Sequence, residues 1–200
     1  MMKISFTICF MLFTLVNFAQ SKTEDLIESY KNDMKKERYD VALKKIDKLL
    51  KTDIDKYHLL CDKGDCYFKL KKYQSAFDAY NDAIAIHKDS ARAYFLRGSF
   101  YLAADKEDKA IQDFSYALKF TNSIIFKKSC YLNRASAKIN VRNFEGAYKD
   151  LMKGYEIDSN DVGILNNLAL VCDHIGKGDL TLGYLYRILE IDSTSEFAIT

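Results

Sequence analysis

The apolar positions of this chain fall into a recurring set of three. Ala42, Ile46 and Leu49 are followed by Ala76, Tyr80 and Ala83, then by Ala110, Phe114 and Ala117, by Ala147, Leu151 and Gly154, and by Thr181, Leu185 and Ile188. Steps of four and then three residues keep each set on one face of a helix. From set to set the interval is 34, 34, 37 and 34 residues, the length of one helix, a turn and a second helix. A small residue, Gly64, Gly98, Ala135 or Ala169, stands twelve residues ahead of the last four sets. An upstream helix is therefore predicted in each unit, crossing its partner closely enough to need a small side chain at that point. The pattern predicts an all-α chain of about five helix pairs, over 23–56, 57–90, 91–124, 128–161 and 162–194. The absence of proline removes the usual helix breaker and leaves the turns to Gly, Asn, Asp and Ser.

These residues resemble the tetratricopeptide repeat family. The likeness is sharpest in Tyr57–Ser90, through Gly64, Tyr67, Ala76, Tyr80 and Ala83, and in Ala91–Ile124, through Gly98, Tyr101, Ala110, Phe114 and Ala117. Glu156-Ile157-Asp158-Ser159 returns one period later as Glu190-Ile191-Asp192-Ser193 and marks the end of the second helix in each unit. There are departures. Tyr30 occupies the small-residue position of the first unit, and the early aromatic of the first helix is Leu60, Tyr94, Tyr131 or Leu165, never tryptophan. The family's closing proline is missing, with Asp89-Ser90, Asn122, Ser159-Asn160 and Ser193 expected to start helices in its place. Three extra residues around Thr121–Lys127 lengthen a loop or a helix end.

The resemblance implies a right-handed superhelical solenoid whose inner wall is lined by the first helix of each pair. Carried over position by position, the partner-binding residues are Ile27, Lys31 and Met34; Cys61, Asp65 and Phe68; Phe95, Ser99 and Leu102; and Leu132, Ser136 and Ile139. That wall is mostly apolar. Its central positions, Lys31, Asp65, Ser99 and Ser136, do not reproduce the set of Lys, Arg and Asn with which some family members grip a C-terminal carboxylate. The expected function is non-enzymatic: a scaffold, adaptor or chaperone-like module that takes an apolar protein or peptide segment. The alternative is a structural protein that self-associates through its apolar last unit, where Leu182, Tyr184, Leu185, Tyr186 and Ile188 crowd together.

The first residues set the expected compartment. Lys3 precedes an apolar run from Ile4 to Phe18, and Phe18-Ala19-Gln20 offers a cleavage point, so 1–19 reads as a signal peptide. The run is shorter than the ~20 residues that span a bilayer, and an uncleaved anchor is the second reading. Residues from about Gln20 are expected outside the cytoplasm, periplasmic or secreted. A net charge of +2, with no basic run interleaved with aromatics, argues against nucleic acid.

Candidate chemistry is sparse. Cys61, Cys66, Cys130 and Cys172 form no dense disulfide framework and are expected as packed thiols, although a bridge between helices is the alternative. Cys61 and Cys66 point about 140° apart on a helix and make a poor pair. His58, Cys61, Asp62 and Asp65 share one helical face that is either a metal-ligating face or, as expected, a partly solvated one. His87 and His174 fall near helix ends, where the dipole favours a cation. Gly176-Lys177-Gly178 falls where a turn between paired helices belongs and lacks the surroundings of a phosphate loop. No nucleophile and base stand at catalytic spacing, and no cofactor is expected.

Overall fold

The computed structural model describes residues 21–52 and 54–192. The expected leader over 1–19, its cleavage point before Gln20, and the helix start at Ser193 lie outside the described residues. Every regular element among the described residues is a helix. The chain divides into two compact units, one ending at Ile86 and the other beginning at His87. The first holds α1 (21–35), α2 (Tyr39–Leu49), α3 (Lys56–Lys69) and α4 (Tyr73–Ile86). The second holds α5 (Ala91–Ala103), α6 (Glu107–Phe120), α7 (Ile124–Asn140), α8 (Phe144–Ile157), α9 (Val162–His174) and α10 (Gly178–Ile191).

The turn inside each pair is built the same way five times. Glu37, Lys71, Asp105, Arg142 and Gly176 all adopt positive φ, between 50° and 73°, directly after the last residues of the first helix. The next N–H reaches back five residues: Arg38 to the Asp33 carbonyl, Lys72 to Tyr67, Lys106 to Tyr101, Asn143 to Lys138 and Lys177 to Cys172, at 2.8–2.9 Å. This is a Schellman ending, which satisfies carbonyls that the helix would otherwise leave unpaired. Glycine occupies the left-handed position only at Gly176, so the other four turns carry a backbone cost that glycine would avoid.

Helix starts are set by short polar side chains. Asp55, Ser90, Ser123 and Asp161 accept hydrogen bonds from N–H groups in the first turns of α3, α5, α7 and α9, and Asn143 does so for α8. Ser90 was the expected starter of α5. The expected Asn122 and Ser159-Asn160 give way to Ser123 and Asp161, because the cap must lie two or three residues before the N–H that it receives.

Packing follows the three-residue rhythm. Ala42, Ala76, Ala110 and Ala147 are fully buried, as are Ile46, Phe114 and Leu151. A Cβ added to Gly64 would lie 2.6 Å from Tyr80 Cδ1, and one added to Gly98 would lie 3.0 Å from Phe114 Cδ1, so the close crossing depends on hydrogen at both positions. Tyr30 breaks the small-residue rule without breaking the core: it is 2% exposed and its hydroxyl donates to Asp62 at 2.8 Å. The three extra residues go into α7, which is 17 residues long where α5, α6, α8, α9 and α10 are 13 or 14. The added turn displays Ile124 and Ile125, and Phe126 leans on Phe95 with ring centroids 5.1 Å apart.

Buried carboxylates bind the helices of a pair together. Asp113 on α6 accepts two bonds from Arg97 on α5, at 2.7 and 2.8 Å. Thirty-seven residues later Asp150 on α8 accepts two from Arg134 on α7, at 2.8 and 2.6 Å, and a third from Lys138 at 2.7 Å. In the first unit Asp33 is 1% exposed and meets Arg38 and Lys45. The bond from Lys45, first, and the charges of both cations hold its carboxyl below the usual range against the effect of burial. One period after Arg134 and Asp150 stand Leu168 and Tyr184, so the last pair makes the same crossing with apolar side chains.

Candidate functional site

In the first unit the expected binding residues do not act alike. Ile27 and Met34 pack against the cluster of Tyr30, Ala42, Leu43, Ile46 and Leu49, while Lys31 is exposed. Asp65 accepts a hydrogen bond from the Tyr80 hydroxyl at 2.9 Å, and Phe68 sits edge-on to Tyr73 with centroids 5.9 Å apart. Cys61 is a correction: it is 0% exposed and belongs to the core of α3. A shift of one position turns a helical side chain by about 100°, which carries Cys61 off the outer wall.

The same helix gives the four residues of the metal alternative separate surroundings. Cys61 and Asp62 are buried, His58 is exposed beside the Tyr57 ring, and Tyr30 and Tyr80 hold the Asp62 and Asp65 carboxylates. Among the described residues no group of three or more His, Cys, Asp or Glu is arranged to hold a metal ion. Cys61, Cys66, Cys130 and Cys172 are all buried, and desolvation pushes the thiols of Cys66 and Cys130 up to about 12. His174 lies flat on the Phe144 ring at 4.2 Å, a packing contact in addition to its place at the end of α9.

The second unit brings its six expected residues into one repeated arrangement. Phe95, Ser99 and Leu102 on α5 recur 37 residues later as Leu132, Ser136 and Ile139 on α7, and α7 packs beside both α5 and α9. All six are half-buried. Phe95 rests between Phe114 and Phe126, Leu102 packs on the Ala110–Phe114–Ala137 cluster, and Leu132 and Ile139 pack on that of Leu151, Ile164 and Leu168. The Ser99 hydroxyl donates to the Phe95 carbonyl at 2.9 Å and that of Ser136 to the Leu132 carbonyl at 3.0 Å. Both serines thus spend their donors on their own helix and leave an apolar ledge.

The structure extends this ledge onto α9, which the sequence reading did not reach. One period after Leu132 and Ser136 stand Asn166 and Leu170. Leu170 is 37% exposed. The Asn166 side-chain oxygen is buried without a hydrogen-bond partner, a costly condition for an amide. The signal was available in the register alone.

Charge on α5 and α7 is one-sided, while α9 carries exposed Asp173 one period after Ile139. Helices α5 and α7 carry Arg92, Arg97, Lys127, Lys128, Arg134 and Lys138 and no acidic residue. Arg97, Arg134 and Lys138 are held by the aspartates of α6 and α8, and Lys128 bridges Asp158 and Asp161 at 2.8 and 2.6 Å. Those two bonds raise the ammonium pKa of Lys128, and the Lys128 bond lowers that of Asp158.

Two of the five residues expected on a self-association surface are packed inside the last unit. Ile188 is fully buried. Tyr184 is turned inward, its hydroxyl against Met152 Sδ at 3.6 Å, and burial, followed by Tyr148, pushes that hydroxyl up to about 12. Leu182 and Tyr186 remain exposed.

Comparison with known proteins agrees with this geometry. Family models described as tetratricopeptide repeat match residues 31–91 and 91–122. The chain is 28% identical over 138 residues to DnaJ homolog subfamily C member 7 of Homo sapiens, covering 66% of this chain and 26% of that protein. It is 24% identical over 123 residues to Hsp70-Hsp90 organizing protein 2 of Arabidopsis thaliana, covering 60% of this chain and 21% of that protein. The chain thus spans about a quarter of the length of these relatives. Among solved structures it resembles MamA, with a TM-score of 0.72 at 20% identity over 82% of this chain and 94% of that one. A MamA structure from Desulfovibrio magneticus gives 0.74 at 11% identity, over 88% and 97%. Residues 31–122 thus match tetratricopeptide repeat models, and the chain shares the all-helical repeat fold of the MamA structures.

Proposed function

We propose that this protein is a protein-interaction module, and that the α5–α7–α9 face of its second unit receives an apolar segment of a protein partner. One observation carries the reading. The ledge of Phe95 and Leu102 recurs as Leu132 and Ile139 and meets Leu170, which stands at the serine position of α9, beside a buried amide oxygen, on Asn166, that has no partner within the chain. Apolar side chains of the partner would fill the spaces between the helices, and a partner N–H donated to Asn166 would remove the cost of that unpaired oxygen. The relative named as an Hsp70-Hsp90 organizing protein supports the class of function, since by its name it works on other proteins. A role in the cell envelope is part of the proposal. It rests on Met1–Gln20, whose charge, apolar run and Ala-Gln junction suit an export signal.

The test is capture from an envelope extract by the full chain, with Leu170→Glu alongside. Leu170 is exposed enough for the substitution to leave the core intact, whereas Phe95 packs on Phe114 and is a poor choice. Loss of the captured proteins with Leu170→Glu supports the face. Equal capture by both forms refutes it. Mass spectrometry of the protein from expressing cells tests export: an N-terminus near Gln20 supports it, and an intact Met1 in soluble cytoplasmic protein refutes it.

A further inference from the structure

We infer that the α8–α9 loop is an ionic latch, through which Lys128 fixes the start of α9 against α7 and with it the α9 edge of the partner face. The Lys128 ammonium donates to Asp158 Oδ2 at 2.8 Å and to Asp161 Oδ2 at 2.6 Å. The second oxygen of each carboxylate is used within the loop. Asp158 Oδ1 accepts the Asn160 N–H at 3.2 Å, and Asp161 Oδ1 caps α9 by accepting the Ile164 N–H at 3.1 Å. One cation thus orients both of the carboxylates that shape the loop and start the helix. From the other side, Arg187 on α10 donates to the Asn160 side-chain oxygen at 2.8 Å.

The added turn of α7 puts the cation in place. Counted by the repeat, the cap positions Ser90 of α5 and Asp161 of α9 correspond to Lys127, 37 residues after the first and 34 before the second. Helix α7 takes its cap one turn upstream instead, from Ser123. Lys127 and Lys128 therefore stand inside the helix, and Lys128 reaches the cap of the next first helix. The consequence for the face is geometric. Asn166 and Leu170 follow Asp161 by five and nine residues on α9, whereas Leu132 and Ile139 lie on α7, so the separation of these two edges depends on how firmly the start of α9 is held. An ion pair between fully exposed groups would hold little. Here the side chains of Lys128 and Asp161 are each 22% exposed, covered enough for the bridge to keep its strength and open enough for salt to reach it. High ionic strength thus loosens the loop and the first turns of α9 without unfolding the unit. Regulation of the face in this way rests on partner binding by α5, α7 and α9; the latch itself does not.

Amide hydrogen exchange of the full chain, read by mass spectrometry, tests it. Lys128→Met should speed exchange from Asn160 to Leu168 about tenfold and leave α5 and α6 unchanged, and Lys128→Arg should restore the slow rate. Raising salt from about 0.05 to 0.5 M should speed the same amides in the unaltered chain and add nothing in Lys128→Met. Lys153→Met, which removes an exposed cation from α8, should alter none of them. With a photoreactive residue at Leu170, crosslinking to protein of an envelope extract should fall about three- to tenfold in Lys128→Met. Three results would overturn the inference: exchange unchanged in Lys128→Met, exchange raised equally across the second unit, or exchange raised at α9 with no fall in the Leu170 crosslink. Latch-dependent exchange with no Leu170 crosslink in any form would support the latch and refute partner binding by the face.

Discussion

Asp150→Ala should be among the most destabilising single changes in the second unit. Asp150 is 4% exposed and accepts three charged bonds, two from Arg134 and one from Lys138. Removing it leaves two cations facing a cavity they cannot hydrate fully, since their side chains are only 18% and 16% exposed. Breaking a buried pair from one side costs ~3–5 kcal/mol. Because both cations retain some access to water, and Arg134 keeps the Ser115 hydroxyl at 2.9 Å, about 3 kcal/mol is the better figure. The last pair supplies the control. Its residues at this crossing are Leu168, fully buried, and Tyr184, with Cys172 where α7 has Lys138, so in a Lys138→Cys background the double variant Arg134→Leu, Asp150→Tyr copies an arrangement the chain already uses, and replacing all the charged partners by apolar groups can be close to neutral. Urea unfolding followed by circular dichroism should show the single variant losing about 3 kcal/mol and the double variant at most about half of that. A loss below ~1 kcal/mol for Asp150→Ala would show that the pair carries little. A double variant as unstable as the single would refute the claim that the crossing tolerates either chemistry.

Further consequences follow from the turns, the crossings and the ion pairs. Lys71→Gly and Arg142→Gly relieve positive φ at two Schellman endings and should each stabilise the chain by ~0.5–1 kcal/mol in the same unfolding assay. Gly64→Ala drives a methyl into Tyr80 and should cost about 1–3 kcal/mol, while Gly178→Ala, which meets nothing, should cost far less. The lowered carboxyls of Asp33 and Asp158 give stability that is present above their unfolded value of 3.8 and lost as pH falls through their lower folded values. Melting temperature should therefore drop on acidification below about pH 4, and Asp33→Asn should flatten that drop.

The parts of the fold that repeat were legible in the sequence. Ala42, Ala76, Ala110 and Ala147 could be aligned before any coordinates because close helix crossing tolerates only small side chains, and all four are fully buried. Gly64 and Gly98 were legible for the same reason. Cys61 was misplaced because the face of a helix cannot be fixed to one position when apolar residues line both sides of it. The buried aspartates went unseen: a carboxylate reads as surface in sequence, and only the fold shows that Arg97 and Arg134, sixteen residues upstream, come to meet Asp113 and Asp150. Tyr184 and Ile188 were counted with the residues of the self-association alternative, although the recurring set of Thr181, Leu185 and Ile188 already placed Ile188 on the packed face of its helix. Asn166 and Leu170 were missed because the inner wall was followed through four repeats and not into the fifth.

Photocrosslinking from the α5–α7–α9 face tests the central claim most directly. A photoreactive residue placed at Leu170 is compared with one at Gln112, an exposed position on α6, in full chain held in an envelope extract. Crosslinks from Leu170 to an apolar segment of another protein, absent from Gln112, are the predicted result. Crosslinks from Gln112 with none from Leu170 would contradict the account and move recognition to the opposite helices.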